Sequence, residues 1–118
     1  MRQPPSIDAY GSGGFRVSGV WRQGSLLIVD DIARDWRPAR IDDVGIDDFA
    51  AVIEAGRAVS ELVLLGTGAA LHPPATAVRE ALRAAGLGLE FMASEAAART
   101  HNVLASQGRR FATALIAF

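Results

Sequence analysis

Apolar residues recur along this chain in two rhythms, one of period two near the start and one of helical period further on. In "FRVSGVWRQGSLLIV", Phe15, Val17 and Trp21 alternate with Arg16, Ser18 and Arg22, the spacing of a half-buried strand. Gln23-Gly24 then offers a tight turn before Ser25 to Val29, so the pattern predicts a hairpin over 15–29. Around Pro38, "RDWRPARI" is strand-like, and its proline confines it to an edge strand or an extended loop. Phe49, Val52 and Ile53 fall at helical spacing and predict a helix over 46–55, with Asp47 and Asp48 at its positive end and Gly56 as its stop.

The run from Glu61 to Leu65 is short, continuously apolar and bounded by glycine, which predicts a buried parallel-type strand. A second helix over 76–85 follows Pro73-Pro74, with Val78, Ala81, Leu82 and Ala85 on one face. "LGLEFM" is the next strand. Ser94 is the expected N-cap of a third helix, in which Ala96, Ala97, Thr100, Val103 and Leu104 form the stripe and Gly108 marks the end. "RRFATALIAF" closes the chain as a strand apolar enough to be central. Strands alternating with helices give the expected class, α/β layering with right-handed crossovers, helices packed on the sheet and an additional N-terminal β-hairpin alongside as an antiparallel addition. The opening residues 1–14, with Pro4, Pro5, Gly11, Gly13 and Gly14, read as an irregular lead-in, and 15–118 as a single domain.

Composition narrows the function classes. A chain of 118 residues is the size of one domain, and its net charge of -1 gives no footing for nucleic acid. Every cation is arginine, spread along the chain rather than clustered. Without cysteine there are no disulfides, thiolate metal sites or thiol nucleophiles. The start has no apolar signal region, and no stretch approaches the roughly 18 apolar residues of a membrane span. The expected protein is cytoplasmic, without an integral membrane segment, and free to associate peripherally with a membrane.

Candidate chemistry centres on "ELVLLGTGAALHPP". A dinucleotide-binding loop needs G-x-G-x-x-G, but Gly66-Thr67-Gly68-Ala69-Ala70-Leu71 lacks the third glycine, and two prolines then remove amides that a phosphate would use. A phosphate loop of the G-x-x-x-x-G-K-[ST] type needs a lysine, and the chain has none. Gly66 and Gly68 therefore read as a sharp strand exit against a neighbouring backbone. His72 and His101 lie in different elements without metal-ligand spacing, and Asp30-Asp31, Asp42-Asp43 and Asp47-Asp48 fit turns or helix starts. No serine sits in a G-x-S-x-G elbow. In the third helix Arg99 and Asn102 share a face, where Glu90 at the end of the preceding strand is expected to reach one of them and brace the helix to the sheet. Arg109 and Arg110 follow the helix C-terminus, which favours cations. No catalytic residue, cofactor or metal is expected.

Taken together, "GGFRVSGVWRQGSLLI", "ELVLLGTG", "GLGLEFM" and "AAARTHNVLASQGRRFATALI" resemble, in order and spacing, a family of small proteins of unknown function that includes a mitochondrial assembly factor for NADH:ubiquinone oxidoreductase, respiratory complex I. The likeness runs from about Ile7 to Ile116. The family commonly has a tyrosine where this chain has His101. The resemblance implies a three-layer α/β fold around a mixed sheet, no established reaction or cofactor for bacterial members, and for the eukaryotic member protein binding at the inner mitochondrial membrane. The resulting expectation is a non-enzymatic interaction module with a protein partner, using Gly66, Thr67, Gly68, Arg16, Arg99 and Arg109. The alternative is a small-ligand site or minor enzyme in a crevice at the strand ends, lined by Gly66, Thr67, Gly68 and Glu90. A monomer or weak homo-oligomer is expected, with the hairpin edge and the terminal strand as the surfaces for pairing between chains.

Overall fold

Three two-residue turns organise the first third of the chain. Ser12-Gly13, Ser18-Gly19 and Asp30-Asp31 all take positive φ (53° and 81°, 47° and 84°, 53° and 62°), the backbone of tight hairpins whose twist matches that of the flanking strands. Residues 3–118 are described by this computed structural model. The first two turns link β1 (Ile7–Gly11), β2 (Gly14–Val17) and β3 (Val20–Gln23) into an antiparallel sheet of that order. The third links β4 (Leu26–Val29) to β5 (Ile32–Asp35).

Two expectations change here. Residues 7–11 are a strand and not part of an irregular lead-in, because the glycines there serve a hairpin turn and Tyr10 pairs with Phe15; residues 1 and 2 lie outside the described residues. The hairpin over 15–29 is also redistributed. Its turn falls at Ser18-Gly19, and Gly24 instead marks the passage from one sheet to the next.

The second sheet is mixed. Adding β6 (Leu62–Gly66), β7 (Gly88–Met92) and β8 (Phe111–Leu115) gives the order β5-β4-β8-β6-β7. β8 lies between β4, antiparallel to it, and β6, parallel to it, so the closing strand is central as its apolar sequence predicts. For the same reason it has no free edge to offer another chain. The helical elements are 3-10 turns at Ile41–Asp43 and Ile46–Phe49, the second running into α1 (Ala50–Ala55), then α2 (Thr76–Ala84) and α3 (Ser94–Ser106). The segment around Pro38 is an extended loop. The indole of Trp36 donates to the Asp48 carbonyl at 2.9 Å, and Arg37 grips the Asp48 carboxylate through two bonds of 2.8 Å.

Alternation along each central strand sends side chains to two separate cores. Leu27, Val29, Val63, Leu65, Ala112 and Ala114 face α1 and α2, where they meet Phe49, Val52, Val78 and Leu82. Leu26, Ile28, Leu64, Phe111 and Leu115 face α3 and the N-terminal sheet, meeting Ala97, Ala98, Leu104, Phe15 and Val17. Both faces of the central strands are buried, which is why their sequences read as unbroken apolar runs rather than alternating ones. Two helix stripes shift from their expected phase. Ile53 and Val103 are exposed, and α3 instead buries Ala97, Ala98, His101 and Leu104. Counting His101 as polar hides this face from a hydrophobicity reading. Among the described residues no helix is long and apolar enough to cross a membrane.

Candidate functional site

The Gly66-Thr67-Gly68 loop leaves β6 with its polar groups already engaged. The Thr67 amide donates to the Met92 carbonyl at 2.8 Å, and the Gly68 amide donates to Ser94 Oγ at 2.9 Å. Ser94 Oγ in turn donates to the Ile116 carbonyl at 2.7 Å, while Thr67 Oγ1 donates to the Ala70 carbonyl at 2.6 Å and accepts from the His72 amide at 3.1 Å. Amides committed in this way are not available to a phosphate. A Cβ built on Gly66 would lie 2.7 Å from Leu115 Cδ2 and Ser94 Oγ, so this glycine serves the close approach of strand and helix. The sharp-exit reading of the loop is the one the geometry matches.

Ser94 therefore does something other than cap. Ala93 occupies the N-cap position of α3, without a side-chain cap bond, and the fully buried Ser94 hydroxyl ties the ends of β6 and β8 together. An unpaired buried donor or acceptor is destabilising, and one hydroxyl here satisfies two backbone groups at once.

A crevice of about 320 Å³ opens beyond these strand ends, lined by Arg40, Asp42, Thr67, Gly68, Ile116 and Phe118 among others. Gly66 is buried and is not part of its lining. Glu90 is not in its lining, so the structure does not bring together the four residues expected to share a crevice.

The remaining polar candidates are dispersed. Glu90 reaches neither Arg99 nor Asn102. Arg99 donates to Glu95 Oε1 at 3.0 Å and to the Tyr10 hydroxyl at 3.1 Å, both on the exposed surface. Asn102 instead clasps the first strand: its Oδ1 accepts from the Ile7 amide at 2.9 Å and its Nδ2 donates to the Ile7 carbonyl at 2.8 Å. Arg16 is exposed on β2, where its charge helps to hold the Asp8 carboxylate below its ordinary value, after the hydrogen bonds from Ser6 and from the Gly19 amide. Arg109 is exposed between α3 and β8, and its neighbour Arg110 pairs with Glu61.

His101 was missed as a structural group. Its Nε2 lies 2.7 Å from the Pro5 carbonyl, which can only accept, so Nε2 carries the proton; Nδ1 then accepts from the Thr113 hydroxyl, also at 2.7 Å. The ring packs edge-on to Phe111 and is almost wholly buried. Burial pushes its pKa below the ordinary 6.5, against the opposing pull of the Pro5 carbonyl and Asp31. Its role is to hold the N-terminal segment to the central strand.

The family described as "Protein of unknown function (DUF498/DUF598)" matches residues 7–116. An uncharacterised protein of Rhodobacter capsulatus is 38% identical over 110 residues, covering 93% of this chain and 82% of that protein. The human NADH dehydrogenase [ubiquinone] 1 alpha subcomplex assembly factor 3 is 28% identical over 110 residues; the match covers 93% of this chain but only 59% of the human protein. The crystal structure of a protein described as an outer membrane protein from Bartonella henselae superposes with a TM-score of 0.89 at 30% identity, covering 97% of this chain and 95% of that one. With the family model matched over residues 7–116, nearly the full length, the chain belongs to the DUF498/DUF598 family of proteins of unknown function, which includes a complex I assembly factor.

Proposed function

We infer that this protein is a non-enzymatic interaction module, working in the cytoplasm at or near the membrane face, that assists assembly of a respiratory or other membrane-associated complex. The observation that carries this reading is the similarity to the human assembly factor over 110 residues, spanning both sheets and all three helices. The geometry of the loop supports it, since the groups that would have bound a cofactor are spent on one another. Affinity capture of the tagged protein from gently solubilised cells of its source tests the reading. Enrichment of respiratory-complex subunits over a tag-only control, reduced by Arg16→Glu/Arg109→Glu, is the expected result. A capture indistinguishable from the control overturns the assembly role, and equal capture by the double variant removes those two arginines from the surface.

The crevice beyond the ends of β6 and β8 favours a second reading, a small-ligand site at the place where open α/β sheets bind ligands. Arg40, Asp42 and Thr67 would supply its polar contacts. A thermal-shift panel of sugar phosphates, nucleotides and carboxylates checks it: concentration-dependent stabilisation, lost in Arg40→Ala, supports the site, and a flat panel counts against it.

A further inference from the structure

Strand β7 is an edge of the five-stranded sheet, and its outer side is open. The Gly88 amide donates to the Glu61 carbonyl at 2.9 Å and the Met92 carbonyl accepts from Thr67 at 2.8 Å. By the alternation of a parallel ladder, Gly88, Glu90 and Met92 bond inward to β6, and the N–H and C=O groups of Leu89 and Phe91 face outward. No described residue pairs with those outward groups. The opposite edge is better guarded. β5 carries Arg34 and Asp35, and Asp35 is ion-paired at 3.2 Å with Arg22 of the N-terminal sheet, whereas β7 has Glu90 as its one charge.

Beside this edge runs a groove of about 550 Å³ between β7 and α2, lined by Arg79, Glu80, Arg83, Leu87, Leu89 and Phe91. The Arg79 guanidinium lies over the Phe91 ring, 5.5 Å from its centroid. Among the described residues neither Arg79 nor Arg83 has a carboxylate within ion-pair distance, so positive charge is in excess along the groove despite Glu80. Leu89 and Phe91 thus combine outward backbone groups with side chains in the groove. A strand laid beside them would place alternate side chains next to the two arginines and the intervening ones beside Glu90 on the opposite face.

A second copy of this chain fits poorly. Antiparallel self-pairing centred on the strand would set Glu90 against Glu90 of the copy and bring the arginines of both α2 helices to the same face, and like charges directly opposite repel. We propose that the β7 edge binds an extended segment of a partner protein as an added strand, with acidic residues facing α2 and a basic residue beside Glu90. This rests on the interaction-module reading and names its surface.

Selection of the intact protein against a random-peptide display library, followed by amide hydrogen exchange, tests it. The free protein should exchange Leu89 and Phe91 quickly while the Glu90 amide is protected. Wild-type protein should enrich peptides with acidic residues at every second position, and these should slow exchange at Leu89 and Phe91. Methylating the peptide nitrogens that face β7 should abolish binding. Arg79→Glu/Arg83→Glu should weaken the peptides by about tenfold or more, since like charges across an interface are strongly unfavourable, and should select basic residues in their place. Enrichment of no peptide, enriched peptides that leave Leu89 and Phe91 exchange unchanged, or protection that appears only on dimerisation would each overturn the proposal. Its failure is separable from that of the assembly reading. Respiratory subunits captured equally by wild type and Arg79→Glu/Arg83→Glu would refute the edge and leave the reading standing; peptides bound as described, with no such subunits captured, would do the reverse.

Discussion

The two faces of the five-stranded sheet are covered by different means. Against α1 and α2 the contact is almost wholly apolar, with Leu65, Val63, Phe49, Val52 and Leu82 all removed from solvent and the Trp36 indole bond to the Asp48 carbonyl at its edge. Against α3 and the N-terminal sheet, the apolar contact is threaded by polar groups: Ser94, His101 and Thr113 are buried there, and Asn102 stands at the margin. The first face is held by non-directional burial, which tolerates small shifts. The second is held by hydrogen bonds that fix one arrangement and tie Pro5 and Ile7 to residues about a hundred positions later, so it decides how the N-terminal sheet docks.

If that contrast is right, the largest stability loss should come from the apolar face. Leu65→Ala, at a fully buried position on central β6, should destabilise by about 2 to 5 kcal/mol in chemical denaturation, as transfer and cavity terms add. The loss should be global. A smaller change, confined to the N-terminal sheet, would mean that the two faces are not divided in this way.

The same contrast explains what the sequence allowed to be read. Burial by apolar side chains leaves a periodic trace, so the runs at Leu62–Gly66 and Phe111–Leu115, the helices near α1 and α2, and the central place of β8 were all legible. A buried polar side chain leaves none. His101 and Ser94 have the composition of a surface residue and a helix cap, and only the strands brought beside them reveal their partners, which is why the stripe of α3 was misphased. Turn chemistry was legible in kind but not in place, since Ser12-Gly13, Ser18-Gly19 and Gln23-Gly24 all carry the signal and pairing chooses among them. At the candidate sites the failure of the phosphate loop could be read from the absent third glycine. The edge position of β7 could not, because strand order is set by contacts between distant segments; the Arg79 and Arg83 pair at i, i+4 was its available sign.

His101 gives the next effect in size, and one with a pH signature. His101→Leu keeps an apolar side chain of similar bulk but leaves the Pro5 carbonyl and Thr113 hydroxyl without their partner, which should be destabilising by about 1 to 3 kcal/mol. In the wild type the folded-state pKa lies below 6.5, so the unfolded chain binds the proton more readily. The contribution of the neutral ring is complete above pH 6.5, declines as pH falls beneath that value, and is lost once the folded-state pKa is passed. The difference in unfolding free energy between wild type and His101→Leu, measured across this window, should therefore narrow on acidification. A difference independent of pH would refute the neutral, buried ring.

Asn102→Ala removes both bonds to Ile7 at a partly exposed position and should be destabilising by about 1 to 2 kcal/mol. Its hallmark is location: amide exchange should accelerate in β1 while the amides of β6 and β8 keep their protection. Uniform acceleration across both sheets would show that the N-terminal sheet does not open as a unit of its own.

The smallest effect should lie a turn away on the same helix. Glu95 and Arg99 form an i, i+4 pair at 3.0 Å, with side chains 55% and 61% exposed, and Tyr10 of β1 touches both. It joins the same two elements as Asn102 does, but water competes for every one of its charges, and salt screens what is left. Glu95→Gln should therefore change stability by about 0.5 kcal/mol or less, and high salt should erase even that. A loss as large as that of Asn102→Ala, and unaffected by salt, would move the grip on β1 from the half-buried Asn102 amide to the exposed ion pair, and with it the division between a face held by burial and a face held by polar bonds.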